Sequence, residues 1–153
     1  MTLIRPASAA EIAIVHQLLL EYAASLPVDL DFQDFDRELL SLPGDYSPPR
    51  GALLVAESGP GIVGCVAMRP LEGTACEMKR MFVRPEARGS GAGRLLAEEI
   101  IAAGRRAGYE VMRLDTLPTM VGALALYRAL GFREIPPYRF NPVKGTIYLE
   151  LRL

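Results

Sequence analysis

The chain has 153 residues, half of them hydrophobic, which is enough for one well-buried core and short for two. Its 17 basic and 18 acidic residues leave a formal net charge of −1, so no global basic field argues for nucleic acid or an anionic membrane surface. Apolar runs such as Ile12 to Leu20 contain polar residues and fall far short of the about 20 needed to span a bilayer. The opening MTLIRPAS lacks the charged, apolar, small-residue order of a signal peptide, so a cytoplasmic location is expected. Cys65 and Cys76 are too few for a disulfide framework, show no metal spacing, and are expected as reduced core residues.

After a short apolar start at Leu3 and Ile4, Ser8 can cap a helix in which Ile12, Val15, Leu19 and Tyr22 recur at helical spacing, with Pro27 ending it. A second, shorter helix is expected from Asp31 to Leu40, before the breaker-rich LPGDYSPPRG. ALLVAES, IVGCVAMRP and CEMKRMFV then read as three strands of an antiparallel meander, joined by GPG at 59–61 and LEGT at 71–74. From Gly91 to Ala107 the pattern is an amphipathic helix with Leu96, Ile100, Ala103 and Ala107 on one side, stopped by Gly108. YEVMRLDT follows as a strand, TMVGALALYRALGF as a helix with Gly131 where a C-terminal cap belongs, and GTIYLELRL as a last strand. The stretch from Met78 to Asp115 is therefore β-α-β with two parallel strands. No internal repeat or linker is visible, and one domain over residues 1–153 is expected.

VRPEARGSGAGRLL, Val83 to Leu96, loads a helix start with glycines and with arginines of the wrong sign for the helix dipole. A bound anion offsets both, because bare backbone lets N–H groups approach closely and a guanidinium suits phosphate. The plain alternative is a sharp turn in which Arg94 pairs with Glu98 at i,i+4. A P-loop requires Gly-Lys-Ser/Thr, whereas Gly93 is followed by Arg94 and Leu95. A dinucleotide fold requires its glycines after the first strand, whereas three strands precede these.

RGSGAG, Arg88 to Gly93, resembles the Gln/Arg-x-x-Gly-x-Gly/Ala acyl-CoA pyrophosphate loop of the GNAT N-acyltransferase superfamily, and ALALYRALGF is similar to its Ala-x-x-Leu-Tyr-x-x-Leu-Gly-Phe segment. The two motifs span about residues 62 to 135, in the family's order. The resemblance implies a mixed α+β fold: a central, mostly antiparallel sheet with one splayed parallel strand pair, flanked by about four helices. It implies that coenzyme A enters the splay, with the backbone of Met81, Phe82 and Val83 bonding the pantetheine amides and Arg88, Gly89, Ser90, Gly91, Ala92 and Gly93 holding the pyrophosphate. The implied activity is transfer of an acetyl group from acetyl-CoA to a primary amine, small or amino-acid-like, by direct attack in a ternary complex. A non-catalytic acyl-CoA-binding module on the same fold, and a protein or peptide N-acetyltransferase, are the alternatives. Dimers are common in the family, and an edge strand left bare after residue 145 could pair with a second copy.

The resemblance places Tyr127 as the acid that protonates the departing thiolate and Glu77, eleven residues before Arg88, as the base. Both have ordinary readings: Tyr127 as core on an apolar helix, and Glu77 as one half of an ion pair with Lys79. In a regular strand Glu77, Lys79, Met81 and Val83 share one face. Where many relatives carry an asparagine, seven residues before the tyrosine, this chain has Met120, with Thr116 or Thr119 as possible substitutes. His16, the only histidine, reads as packing or surface. For the acceptor, residues 21 to 45 set Glu21, Asp29, Asp31, Asp34, Asp36, Glu38 and Asp45 against Arg37 alone, either an attraction for a cationic amine or a solvated face. The loop PPYRFNPVKGT is expected to form the other wall, with Tyr138 as a polar handle and Arg139 binding a substrate carboxylate.

Overall fold

A computed structural model describes residues 1–27, 29–30, 34–59 and 61–153. Seven strands form one sheet: β1 (Thr2–Pro6), β2 (Ala52–Ser58), β3 (Gly61–Pro70), β4 (Ala75–Val83), β5 (Val111–Thr116), β6 (Arg133–Ile135) and β7 (Ile147–Arg152), in the order β1-β2-β3-β4-β5-β7-β6. Four helices complete it: α1 (Ile12–Ser25), α2 (Phe35–Ser41), α3 (Ala92–Arg106) and α4 (Val121–Ala129). Every strand pair is antiparallel except β4 with β5. This is the mixed α+β architecture expected.

The meander of β2, β3 and β4 forms from short, largely apolar runs bounded by turn residues, as suits strands buried on both faces. Pro60 of the expected GPG turn lies outside the described residues, as do residues 31–33 of the second expected helix, whose described part is α2. Before α1, one turn of 3-10 helix at Ala9–Glu11 starts from Ser8, whose N–H donates to Glu11 Oε1 at 2.9 Å. Glycines close the later helices: Gly108 follows α3 at φ +90° and Gly131 follows α4 at φ +101°, conformations that cost a residue with Cβ.

The sheet separates two cores. Leu96, Ala97 and Ile100 of α3 pack with Cys76, Met78, Met112, Leu114 and Tyr127 on one face. Val15, Leu18 and Leu19 of α1, with Phe35 and Leu39 of α2, pack with Cys65, Ala67 and Phe82 on the other. Cys65 and Cys76 therefore lie on opposite faces, both buried and free, with burial pushing each thiol up to about 12. Among the described residues, no helix is long and apolar enough to cross a membrane.

Three expectations need correction. The last strand is not an edge: β7 sits between β5 and β6, and the edge beyond it is the three-residue β6, too short to show in the sequence pattern. The apolar start at Leu3 and Ile4 is a full strand, pairing with β2 from Thr2↔Ser58 to Pro6↔Leu54. Most consequential, β4 is not a regular strand. Its register against β3 slips between Cys65↔Phe82 and Ala67↔Lys79, and Arg80 takes the left-handed conformation at φ +59°. The bulge reverses the alternation, so Met81 and Val83 join the α3 core that holds Cys76 and Met78, while Phe82 joins the α1 core. Glu77 and Lys79 thus do not share a face with Met81 and Val83.

Candidate active site

The parallel pair is hydrogen-bonded for a short distance only, Ala75↔Val111, Cys76↔Met112 and Glu77↔Arg113, after which the strands part. The parting opens a cavity of about 60 Å³ walled by Met78 to Met81 on one side, Leu114, Asp115 and Thr116 on the other, and Tyr127 of α4. Tyr127 is 6 % exposed and meets Phe132 edge-on at 5.7 Å. Burial raises its pKa, keeping the phenol protonated throughout the neutral range.

Tyr22, Met81, Met120 and Ala123 also border a larger groove of about 640 Å³, so the two spaces adjoin across these residues. The groove runs between the end of α1, at Ser25 to Pro27, and the start of α4, and reaches Phe82, Val83, Arg88, Gly89, Ala92 and Gly93. Gly89 and Gly91 stand at φ +84° and +89°, and a Cβ at either would meet nothing within 4 Å. The loop glycines therefore leave open space in front of α3, whose N-cap residue Gly91 has no side chain to cap it, and the Ser90 hydroxyl accepts from Ala92 N–H at 3.4 Å. Arg88 is exposed, its Nε donating to the Val83 carbonyl at 3.0 Å and its guanidinium lying 5.9 Å over the Phe82 ring. Ser90 and Gly91 do not line the groove, and the Ser90 hydroxyl donates to Ala87 O at 2.6 Å, so these two shape the loop. Arg94 lies 3.7 Å from Glu98, with both side chains about half exposed.

Glu77 is fully buried, in a knot of side chains drawn from distant parts of the chain. Arg69 Nε donates to Oε1 at 2.8 Å, the Tyr138 hydroxyl donates to Oε2 at 2.6 Å, and the Arg139 guanidinium bonds both oxygens. Lys79, the partner expected, is the more distant cation, with Nζ 4.0 Å from Oε1. Burial pushes the carboxyl pKa up, but Lys79, Arg139, Tyr138 and Arg69 together hold it below its ordinary value. Arg139 does bind a carboxylate, and that carboxylate is the chain's own Glu77. The loop carrying Tyr138 and Arg139 is fastened by Tyr148, whose hydroxyl donates to the Arg139 carbonyl at 2.9 Å, and by Asn141, which donates to Asp115 at 3.2 Å.

Two members of the acidic segment are neutralised by β4 and the turn after it: Glu38 by Arg80 at 2.8 Å and Glu21 by Arg84 at 3.1 Å. Asp34 and Asp45 remain exposed around a hollow of about 450 Å³ that also touches Arg37, Tyr46 and Arg69. Thr116 occupies the cavity, its hydroxyl 3.7 Å from Met120 Sδ, whereas Thr119 lies in the groove. His16 is half-buried on α1 and lines neither space.

Sequence reasoning missed Tyr22, Asp115 and Lys79 as wall residues of the cavity. Tyr22 looked like one more apolar position on a helix, and Asp115 lay at a strand end with nothing local to mark it. Lys79 was visible only as a counter-ion.

A family model described as an acetyltransferase (GNAT) domain matches residues 49–134. An uncharacterized N-acetyltransferase of Schizosaccharomyces pombe is 44 % identical over 138 residues, covering 89 % of this chain and 85 % of that one. An IAA acetyltransferase of Azospirillum brasilense is 38 % identical over 99 residues, 63 % of this chain and 65 % of that one. In fold, a GNAT-family acetyltransferase from Staphylococcus aureus superposes with a TM-score of 0.82 at 20 % identity, covering 99 % of both chains. An acetyltransferase from Salmonella typhimurium, solved with its cofactor acetyl-CoA, superposes at 0.71 with 22 % identity, covering 99 % of this chain and 93 % of that one. With motif, sheet and splayed strands in agreement, the chain belongs to the GNAT family and is an acetyltransferase.

Proposed function

We propose that this enzyme moves an acetyl group from acetyl-CoA to a small or amino-acid-like primary amine by direct attack, with no acyl-enzyme. The observation that carries the reading is the adjacency of two spaces: the cavity holding Tyr127 shares four wall residues with a groove that ends at Arg88 and the start of α3. The groove suits a long ligand with an anionic end. Arg88 and the backbone of Gly89, Ala92 and Gly93 hold the pyrophosphate, and the parted backbone of Met81, Phe82 and Val83 accepts the pantetheine as an added strand would be accepted.

When bound, acetyl-CoA supplies an activated carbonyl and a thiol leaving group. Tyr127, kept protonated by burial, donates its proton to the departing sulfur. Glu77 orients rather than deprotonates. Three hydrogen-bonding partners occupy its oxygens and its pKa is lowered, so it is a weak proton acceptor that fixes Tyr138 and Arg139 at the acceptor side. The hollow beside Asp34 and Asp45 gives a cationic amine a favourable approach.

Calorimetric titration of acetyl-CoA into the wild type and into Arg88→Ala tests the reading. Binding that the substitution weakens by about 1.5 kcal/mol, the worth of a charged hydrogen bond, supports the cofactor site. Absence of binding to the wild type removes it. Thiol release from acetyl-CoA that depends on both an added amine and Tyr127 separates an enzyme from a binding module.

A further inference from the structure

The mechanism above leaves the acceptor's proton without a destination. An alkylamine, with a pKa of about 10.4, arrives as an ammonium and must lose a proton before its nitrogen can attack. The residue expected for that task, Glu77, is engaged on both oxygens. One cation of the cavity wall is built differently from its neighbours. Of the chain's 17 basic residues only Lys79 and Lys144 are lysine, so every other cation is an arginine that cannot release its proton in this pH range. Lys144 lies in the loop before β7, whereas Lys79 lines the splay cavity with Tyr127, Asp115 and Thr116 and is 8 % exposed.

We propose that Lys79 is the proton acceptor of the transfer reaction, taking the proton of the incoming ammonium at its Nζ within the cavity that holds Tyr127. This rests on the acetyl-transfer reading. The groups facing Lys79 suit the role. Glu77 and Arg80 flank it on β4, Arg69 reaches it from β3 and Arg139 from the loop before β7. Glu38 acts on it from α2, while Tyr22 of α1, Asp115 of β5 and Tyr127 of α4 share its cavity. Burial, with Arg80, Arg139 and Arg69, lowers its pKa to about 7 against the opposing pull of Glu77. Near neutral pH a substantial fraction is therefore a free base.

The step balances. Lys79 Nζ takes one proton from the ammonium, and the freed nitrogen forms the C–N bond as the C–S bond breaks. Tyr127 gives its proton to the sulfur and regains one from the new amide nitrogen, and Lys79 releases its proton to solvent. No oxidant or further reactant is needed.

The two lysines make a direct test practical. In the protein labelled with ε-¹³C lysine there are two side-chain signals, and a Lys144→Arg variant assigns them. The proposal expects Lys79 to titrate near 7; Lys79 titrating at the ordinary lysine value of about 10.4 overturns it. In parallel, thiol release from acetyl-CoA is followed from pH 6 to 9 with glycinamide, spermidine and phenethylamine. Wild-type kcat/KM should rise through an inflection near 7. Lys79→Met should lower kcat about 100-fold and lose that inflection while binding acetyl-CoA as the wild type does. Lys79→Arg, which keeps the charge but cannot deprotonate, should not rescue. Rescue by arginine, or the inflection persisting in both variants, rules Lys79 out. Wild type that binds acetyl-CoA but acetylates none of the three amines counts against the transfer reading itself, an outcome distinct from turnover that ignores Lys79.

Discussion

Arg80 and Glu38, 42 residues apart in sequence, meet through two parallel bonds, Nε to Oε2 at 2.9 Å and Nη2 to Oε1 at 2.8 Å. The pair ties α2 to the one residue of β4 with a left-handed backbone, and the guanidinium sits 5.1 Å over the Phe35 ring and 5.8 Å over Tyr22. Glu38→Ala leaves that buried cation uncompensated and should cost about 3–5 kcal/mol, read as a lowered urea midpoint. An unchanged midpoint would mean that the rings and backbone alone hold the bulge.

Acid should unfold the protein through the same network. Although burial opposes ionisation, Arg80 holds Glu38, and Lys79, Arg139 and Arg69 with Tyr138 hold Glu77, below the ordinary carboxylate range. Their contribution to stability is fully present above the unfolded carboxylate range and is lost as pH falls through the lowered folded values. Thermal midpoints measured downward from pH 5 should fall for the wild type and fall less for Glu77→Gln, which starts lower.

Lys79 acts in the opposite sense. Its folded pKa of about 7 lies below the ordinary lysine value of 10.5, so the unfolded chain binds more of this proton between the two and stability from this group rises with pH across that window. Lys79→Met should therefore gain stability relative to the wild type as pH falls toward 7, because the variant has no such proton to lose on folding. The difference should shrink as pH rises toward 10. Urea titrations at pH 6 and pH 9 compare the two.

Gly91→Val places a β-branched residue at φ +89°, with open space around the Cβ, so the penalty is conformational and not steric. A loss of about 1–2 kcal/mol in urea stability is expected, together with weaker acetyl-CoA binding as the loop before α3 is displaced. Equal affinity in the variant would detach the loop from cofactor binding.

Tyr127→Phe removes the hydroxyl from the cavity while keeping the ring that packs on Phe132. Turnover should fall about 100-fold with KM for acetyl-CoA unchanged, the signature of a group used only as the bond breaks. Because burial raises the phenol's pKa, wild-type kcat should show no falling limb below pH 10.

What the sequence discloses and what it hides divide along the range of the forces involved. The short apolar runs of β2 and β3 beside their turn residues, the apolar stripe of α3 and the glycines at its two ends are local signals, and each element formed where those signals pointed. The glycine loop was legible for the same reason, since backbone freedom is written in the residue itself. The bulge was not: MKRMF carries no glycine or proline, and Arg80 is held in its conformation by Glu38 from another helix. Nor were the partners of Glu77, because Tyr138 and Arg139 come from 61 and 62 residues away. Lys79 next to Glu77 in sequence looked like its natural mate, yet three closer groups arrive through the fold.

The extra residue in β4 makes the chain's length as consequential as its composition there. On one side of Arg80 the odd-numbered positions, Glu77 and Lys79, carry charge; on the other, Met81 and Val83 line the groove and its core. Deleting Arg80 would remove the extra residue and leave Met81 and Val83 on the α3 side, whereas forcing the strand into regular pleating with every residue kept would send Phe82 toward the groove and Met81 toward the charges. Of the eleven steps from Glu77 to Arg88, the one at Arg80 adds length without alternation, and it sets which compartment each later side chain enters.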